Sequence, residues 1–114
     1  MDELAHETKN KVWPEALGRC RRLLESEGFR VVRVRRQLRN QGVVLPDLVA
    51  SKGGRLVQVL VVLDREIDTG DTRQRIRTAI RAGETRVYVP WSLRWRALSN
   101  LGRWNIQGVA VERW

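Results

Sequence analysis

The chain of 114 residues carries one histidine, His6, and one cysteine, Cys20. With so few, no Ser-His-Asp triad, histidine-based metal cluster or zinc-ligand set can be assembled. No internal disulfide can form, and a lone cysteine at a helical core position suits a reducing compartment, so the cytoplasm is the expected location. No apolar run approaches the ~20 residues that span a bilayer. The acidic, polar start Met1-Asp2-Glu3-Leu4-Ala5-His6-Glu7 does not read as a secretory signal. No membrane role is therefore expected. Glycine-rich phosphate loops of the familiar types are missing as well. These absences remove most enzyme classes other than carboxylate-metal hydrolysis.

Lysine is also scarce. Of 22 basic residues only Lys9, Lys11 and Lys52 are lysines, and the rest are arginines. GC-rich coding or thermophily can raise arginine over lysine, but neither explains a net charge of +9 and a pI near 11.3. Arginine makes bidentate phosphate contacts and stacks on rings. An excess of this size in a small domain points to a polyanion, DNA or another structured nucleic acid. The arginines cluster at Arg19, Arg21 and Arg22, at Arg30, Arg33, Arg35, Arg36 and Arg39, and at Arg73, Arg75, Arg77 and Arg81.

The length and a hydrophobic fraction of 42% fit one domain over 13–114, preceded by a polar, flexible leader over 1–12. Trp13, Leu17, Cys20 and Leu24 form one stripe of an amphipathic helix, expected from Pro14 to Glu27 and stopped by Gly28. Phe29–Arg35 reads as a strand, Arg36–Gly42 as a polar connection and Val43–Ser51 as a second strand, with Pro46 implying an edge or a bulge. A Lys52-Gly53-Gly54 turn leads to the apolar strand Arg55–Leu63. Asp71 or Thr72 caps a helix over Thr72–Ala82, with Ile76, Ala79 and Ile80 inward and Arg73, Arg75, Arg77 and Arg81 outward. Arg86–Pro90 is a strand, Ser92 caps a third helix carrying Leu93, Ala97, Leu98 and Leu101, and Gly108–Glu112 is the last strand. The order is α-β-β-β-α-β-α-β.

Leu45-Pro46-Asp47-Leu48-Val49-Ala50-Ser51, hairpinned to Arg55–Leu63 within that order, resembles the PD-(D/E)xK nuclease superfamily, whose small members include Holliday-junction resolvases. The resemblance runs from Trp13 to Trp114. It implies a restriction-endonuclease-like three-layer α/β/α core with a mixed sheet. It also implies that Asp47 binds a divalent cation, Mg²⁺, with a second acid and then a lysine on the next strand. Those two positions hold Gln58 and Leu60. In the alternative register Leu56 takes the acid position and Gln58 the lysine position. Mg²⁺ prefers hard oxygen ligands, and Gln58 offers a neutral oxygen or, as readily, a buried amide bonded to backbone. The candidate catalytic residues are therefore Asp47, Gln58 and Glu15, the last on the first helix, where it equally serves as a favourable charge at a helix start. Asp47 and Gln58 are the candidate metal ligands.

Arg75 or Arg77 on the crossover helix can face the site as a relocated basic group, whereas Lys52 sits toward the turn. The candidate nucleic-acid contacts are Arg33, Arg35, Arg36, Arg39, Lys52, Arg73, Arg75 and Arg77. Arg94, Arg96 and Arg103 interleave with Trp91, Trp95 and Trp104, which reads either as a stacking platform or as core and helix-end packing. Asp64, Glu66, Asp68 and Asp71 crowd one loop without EF-hand spacing, as a solvated loop does. The leading expectation is a nucleic-acid-binding, nuclease-like domain with a degenerate metal site. The alternatives are an Mg²⁺-dependent endonuclease using Asp47, and a protein-interaction module, homodimeric as resolvase-like domains often are.

Overall fold

Trp13, Ala16, Leu17, Cys20 and Leu24 line one buried side of a long first helix, as their spacing predicts. The structure is a computed structural model and describes residues 2–34 and 46–114, with side chains from Trp13 onward. It runs α1 (Asp2–Ser26), β1 (Arg30–Arg33), β2 (Leu48–Lys52), β3 (Arg55–Val61), α2 (Gly70–Ala82), β4 (Thr85–Val89), α3 (Arg94–Arg103) and β5 (Val109–Arg113), with 3-10 turns at Asp64–Glu66 and Trp91–Leu93. This is the expected α/β order.

Helix α1 begins at Asp2 rather than Pro14, so the segment expected as a leader is helical and Pro14 lies inside the helix. Its sequence there, with Glu3, Leu4, Ala5, Glu7, Lys9 and Lys11, is rich in strong helix formers although it lacks an apolar period. The helix stops at Gly28, whose φ of 92° suits the left-handed position after a helix. There Gly28 N donates to Glu25 O and Phe29 N to Leu24 O, satisfying two terminal carbonyls.

The five strands lie in the order β1-β2-β3-β4-β5. The first three form an antiparallel meander, and β3, β4 and β5 run parallel. Gly53 and Gly54 both hold positive φ, 56° and 82°, as a tight two-residue hairpin demands. Parallel strands need crossovers, supplied by α2 and α3 on one face of the sheet. Their core joins Leu60, Val62, Ile76, Val87, Ala97 and Leu101. Helix α1 covers the other face with Leu48, Ala50, Val57, Val59 and Val61 beneath it.

Several boundaries differ from the sequence reading. Strand β2 starts at Leu48, after Pro46, so the proline never enters the ladder and β2 is an inner strand rather than an edge. Residue 35 of the expected first strand, the whole connection 36–42 and the expected strand residues 43–45 lie outside the described residues. Thr69, not Asp71 or Thr72, caps α2 by accepting from Thr72 N. A 3-10 turn at Trp91–Leu93 precedes α3, with no side-chain cap from Ser92.

Cys20 is fully buried on the inner side of α1, and burial pushes its thiol up to about 12, with the Asp47 charge acting in the same direction. An unfolded cysteine ionises near ~8.5. Holding the neutral thiol therefore contributes stability that is full below that pH and is lost as pH rises through about 12. Unfolding free energies of the native chain, from urea titrations, should fall across roughly pH 9–11 by up to about 1.4 kcal/mol per pH unit more than those of Cys20→Ala. Parallel curves for the two proteins would refute this.

Candidate functional site

Because β2 runs antiparallel to β3, the head of β2 lies at the sheet edge where the parallel strands end. Asp47 N donates to Val59 O at 2.9 Å and Val34 N to Asp47 O at 3.2 Å, which fixes its backbone between both neighbouring strands. Side chains alternate along a strand. Leu48 and Ala50 belong to the core under α1, so Asp47 turns to the α2 face, as do Gln58 and Leu60 on β3. In the register Leu48↔Val59 and Val49↔Gln58, the residue opposite Asp47 is Leu60, which is 1% exposed.

The Asp47 carboxylate is 3% exposed and occupied from within. Its Oδ2 accepts from Val61 N at 2.8 Å and from an Arg75 guanidinium nitrogen at 3.0 Å. The first bond continues the β2–β3 pairing through a side chain, beyond where the β2 ladder itself starts. The second is a buried ion pair, with the Arg75 side chain 10% exposed. Arg75 thus faces Asp47, as the relocated-base expectation allowed, and not solvent, as its place among outward arginines implied.

Gln58 sits two residues back along β3, and its Nε2 donates to Ala79 O at 2.8 Å. Ala79 is one helical turn beyond Arg75. A turn rises about 5.4 Å and two strand residues span about 6.6 Å, so α2 running along β3 presents one contact to each motif position. Gln58 is therefore a half-buried amide bonded to backbone.

Glu15 is exposed on α1, on the opposite side of the sheet and in mid-helix rather than at a helix start. The structure brings Asp47 and Gln58 to one face but adds Arg75 and Ala79, not Glu15. Among the described residues no group of three or more His, Cys, Asp or Glu side chains is placed to hold a metal ion. Acids of the 64–71 segment are engaged by protein groups of the loop and of α3. Glu66 accepts from Leu63 N, and Asp68 bonds Arg96 and Asn100, which hold its carboxyl below the usual range.

Arg33 and Arg73 are exposed, on β1 and α2. Arg77 donates to Trp104 O at 2.8 Å, tying α2 to the end of α3. Lys52 donates to Glu27 O at 2.6 Å beside the Phe29 ring. Arg35, Arg36 and Arg39 lie outside the described residues. Arg19, Arg22, Arg30 and Arg81 are also exposed. Trp13 is buried, and Trp104 and Trp114 are half-buried against the two cores, whereas Trp91 and Trp95 are exposed.

Between the two candidates Arg75 and Arg77, helical spacing alone selects Arg75. Thr72, Arg75, Ile76 and Ala79 are the buried set of α2, and they follow i, i+3, i+4, i+7, a stripe that includes the arginine.

No protein-family model, curated protein or solved structure matches the chain. No helix among the described residues is long and apolar enough to cross a membrane.

Proposed function

We propose that the chain is a nucleic-acid-binding domain on a restriction-endonuclease-like fold whose metal position is closed by protein groups. The Arg75–Asp47 pair carries this reading. A carboxylate that accepts from a buried guanidinium and a backbone amide has its charge compensated and much of its acceptor capacity taken. Mg²⁺ would have to displace that arginine and shed its own waters, with an amide in place of a second charged ligand. Leu60, opposite Asp47, offers nothing polar to manage a nucleophilic water. The order of elements and the place of Asp47 at the head of β2 support the nuclease-like ancestry of the site. The net charge of +9 supports the ligand class.

Anisotropy with labelled duplex, four-way junction and single strand at roughly 50 mM salt should show binding. Plasmid and junction DNA should stay intact with Mg²⁺ or Mn²⁺, for the native protein and for Asp47→Asn alike. Robust cutting by the native protein that disappears in Asp47→Asn would make the chain a working endonuclease. Absence of binding to all of these nucleic acids would instead favour a protein-interaction module.

A further inference from the structure

Two of the five tryptophans are left in solvent: Trp91 is 68% exposed and Trp95 is 80% exposed. Both come from the short stretch that follows β4. Pro90 leads into the 3-10 turn Trp91–Leu93, closed by Leu93 N donating to Pro90 O at 2.9 Å, and α3 continues directly from it. Trp91 and Trp95 are therefore about one turn apart on a fixed backbone path. An indole has some 150–250 Å² to bury, so neither ring is placed for folding. The guanidinium of Arg113, the last residue of β5, lies 3.7 Å from the Trp91 ring centroid. One face of that ring is thus taken by a cation, and the exposure of Trp91 belongs to the other. Since β4 and β5 are parallel, this group stands at the sheet edge that also holds Asp47.

We propose that Trp91, Trp95 and Arg113 form a stacking platform for unpaired nucleobases. The proposal rests on the nucleic-acid reading above and names the part of the ligand that reading leaves open. Every base has a π-face, so aromatic platforms accept single strands with little regard to sequence. A guanidinium already stacked on one face supplies positive charge beside the other, where the sugar-phosphate backbone of a stacked base must run. A paired duplex hides its base faces and cannot use the rings in this way. Acidic residues share this end of the sheet, with Asp64 in the turn after β3 and Glu112 beside Arg113 on β5. Ring stacking rather than phosphate attraction is therefore its distinctive contribution.

The test compares the native protein with Trp91→Ala/Trp95→Ala at one fixed salt concentration, using oligothymidylate, a blunt duplex, heparin and anionic phosphatidylserine vesicles. Because the rings are exposed, urea midpoints of the two proteins should agree. The double variant should lose roughly ten-fold or more in affinity for oligothymidylate, with duplex affinity changed less than about two-fold by loss of ring faces that pairing conceals. Tryptophan fluorescence should be quenched by oligothymidylate and not by heparin, which has charge without bases. Equal affinity of both proteins for oligothymidylate, with duplex binding intact, would overturn the platform and leave the nucleic-acid reading standing. Failure of the native protein to bind either nucleic acid would overturn both. Loss of vesicle binding in the double variant, without loss of oligothymidylate binding, would assign the rings to a lipid surface and overturn the platform.

Discussion

Arg75→Met is expected to destabilise the fold by about 3–5 kcal/mol, the usual cost of removing one partner from a buried ion pair. The substitution keeps much of the side-chain volume but removes the Arg75 guanidinium from the Asp47 carboxylate, which is 3% exposed. A domain of this size has a total stability of roughly 5–15 kcal/mol, so the variant should be near its folding limit at 37 °C. Asp47→Asn alone should also destabilise, by stranding the arginine. The pair Asp47→Asn/Arg75→Met should recover a large part of the loss, because the asparagine oxygen can still accept from Val61 N and no unpaired charge remains. Urea unfolding of all four proteins gives the coupling energy directly. A loss below about 1 kcal/mol for Arg75→Met would place the pair among weak surface contacts. The closed-site reading would then lose its main support.

The meander was legible in the sequence because its signals are local. The Gly53-Gly54 hairpin follows from residues that tolerate positive φ, and the helix stripe of Trp13, Leu17, Cys20 and Leu24 follows from burial on one side. The beginning of α1 was not legible by the same means, since residues 2–12 show propensity without an apolar period and Pro14 reads naturally as a first-turn residue. Arg75 carries two expectations, outward by side-chain type and site-facing as a relocated basic group, and the structure bears out the second. Its position in the buried stripe is local, but the carboxylate that makes burial tolerable comes from a strand 28 residues away in sequence. The same reasoning locates Trp95. At about 100° per residue it stands about 200° from Ala97 around α3, and Ala97 is in the core. The exposure of Trp95 was thus implicit in the inward set, while that of Trp91 depends on the 3-10 turn that replaced the expected Ser92 cap. The candidate metal residues illustrate the limit of motif reading. Asp47 and Gln58 could be found from their order, but what each bonds is fixed by α2, whose register over β3 is a tertiary outcome.

Affinity for duplex DNA should fall about 500-fold between roughly 50 mM and 200 mM salt if five arginines contact phosphate, from a log-log slope near −4.5. The densest run of positive charge begins at the exposed edge strand β1, with Arg30 and Arg33, and continues in sequence through Arg35, Arg36 and Arg39. Arg33→Glu, Arg35→Glu and Arg36→Glu together should remove about three contacts and flatten the slope to near −2, since each phosphate contributes about 0.9. Reversal at Arg103 is the matched control. That side chain is hydrogen-bonded to Asn100 Oδ1 at the far end of α3, and its replacement should leave the slope almost unchanged. The slope, rather than a single affinity, separates the alternatives, because counterion release counts phosphate contacts whatever the sequence bound. A native slope shallower than about −1 would mean that the arginine excess is not used on a polyanion. A protein-interaction module would then be the better account of the domain. A steep slope that the triple reversal leaves intact would keep nucleic-acid binding but move it away from β1, toward the exposed arginines of α1 and α2.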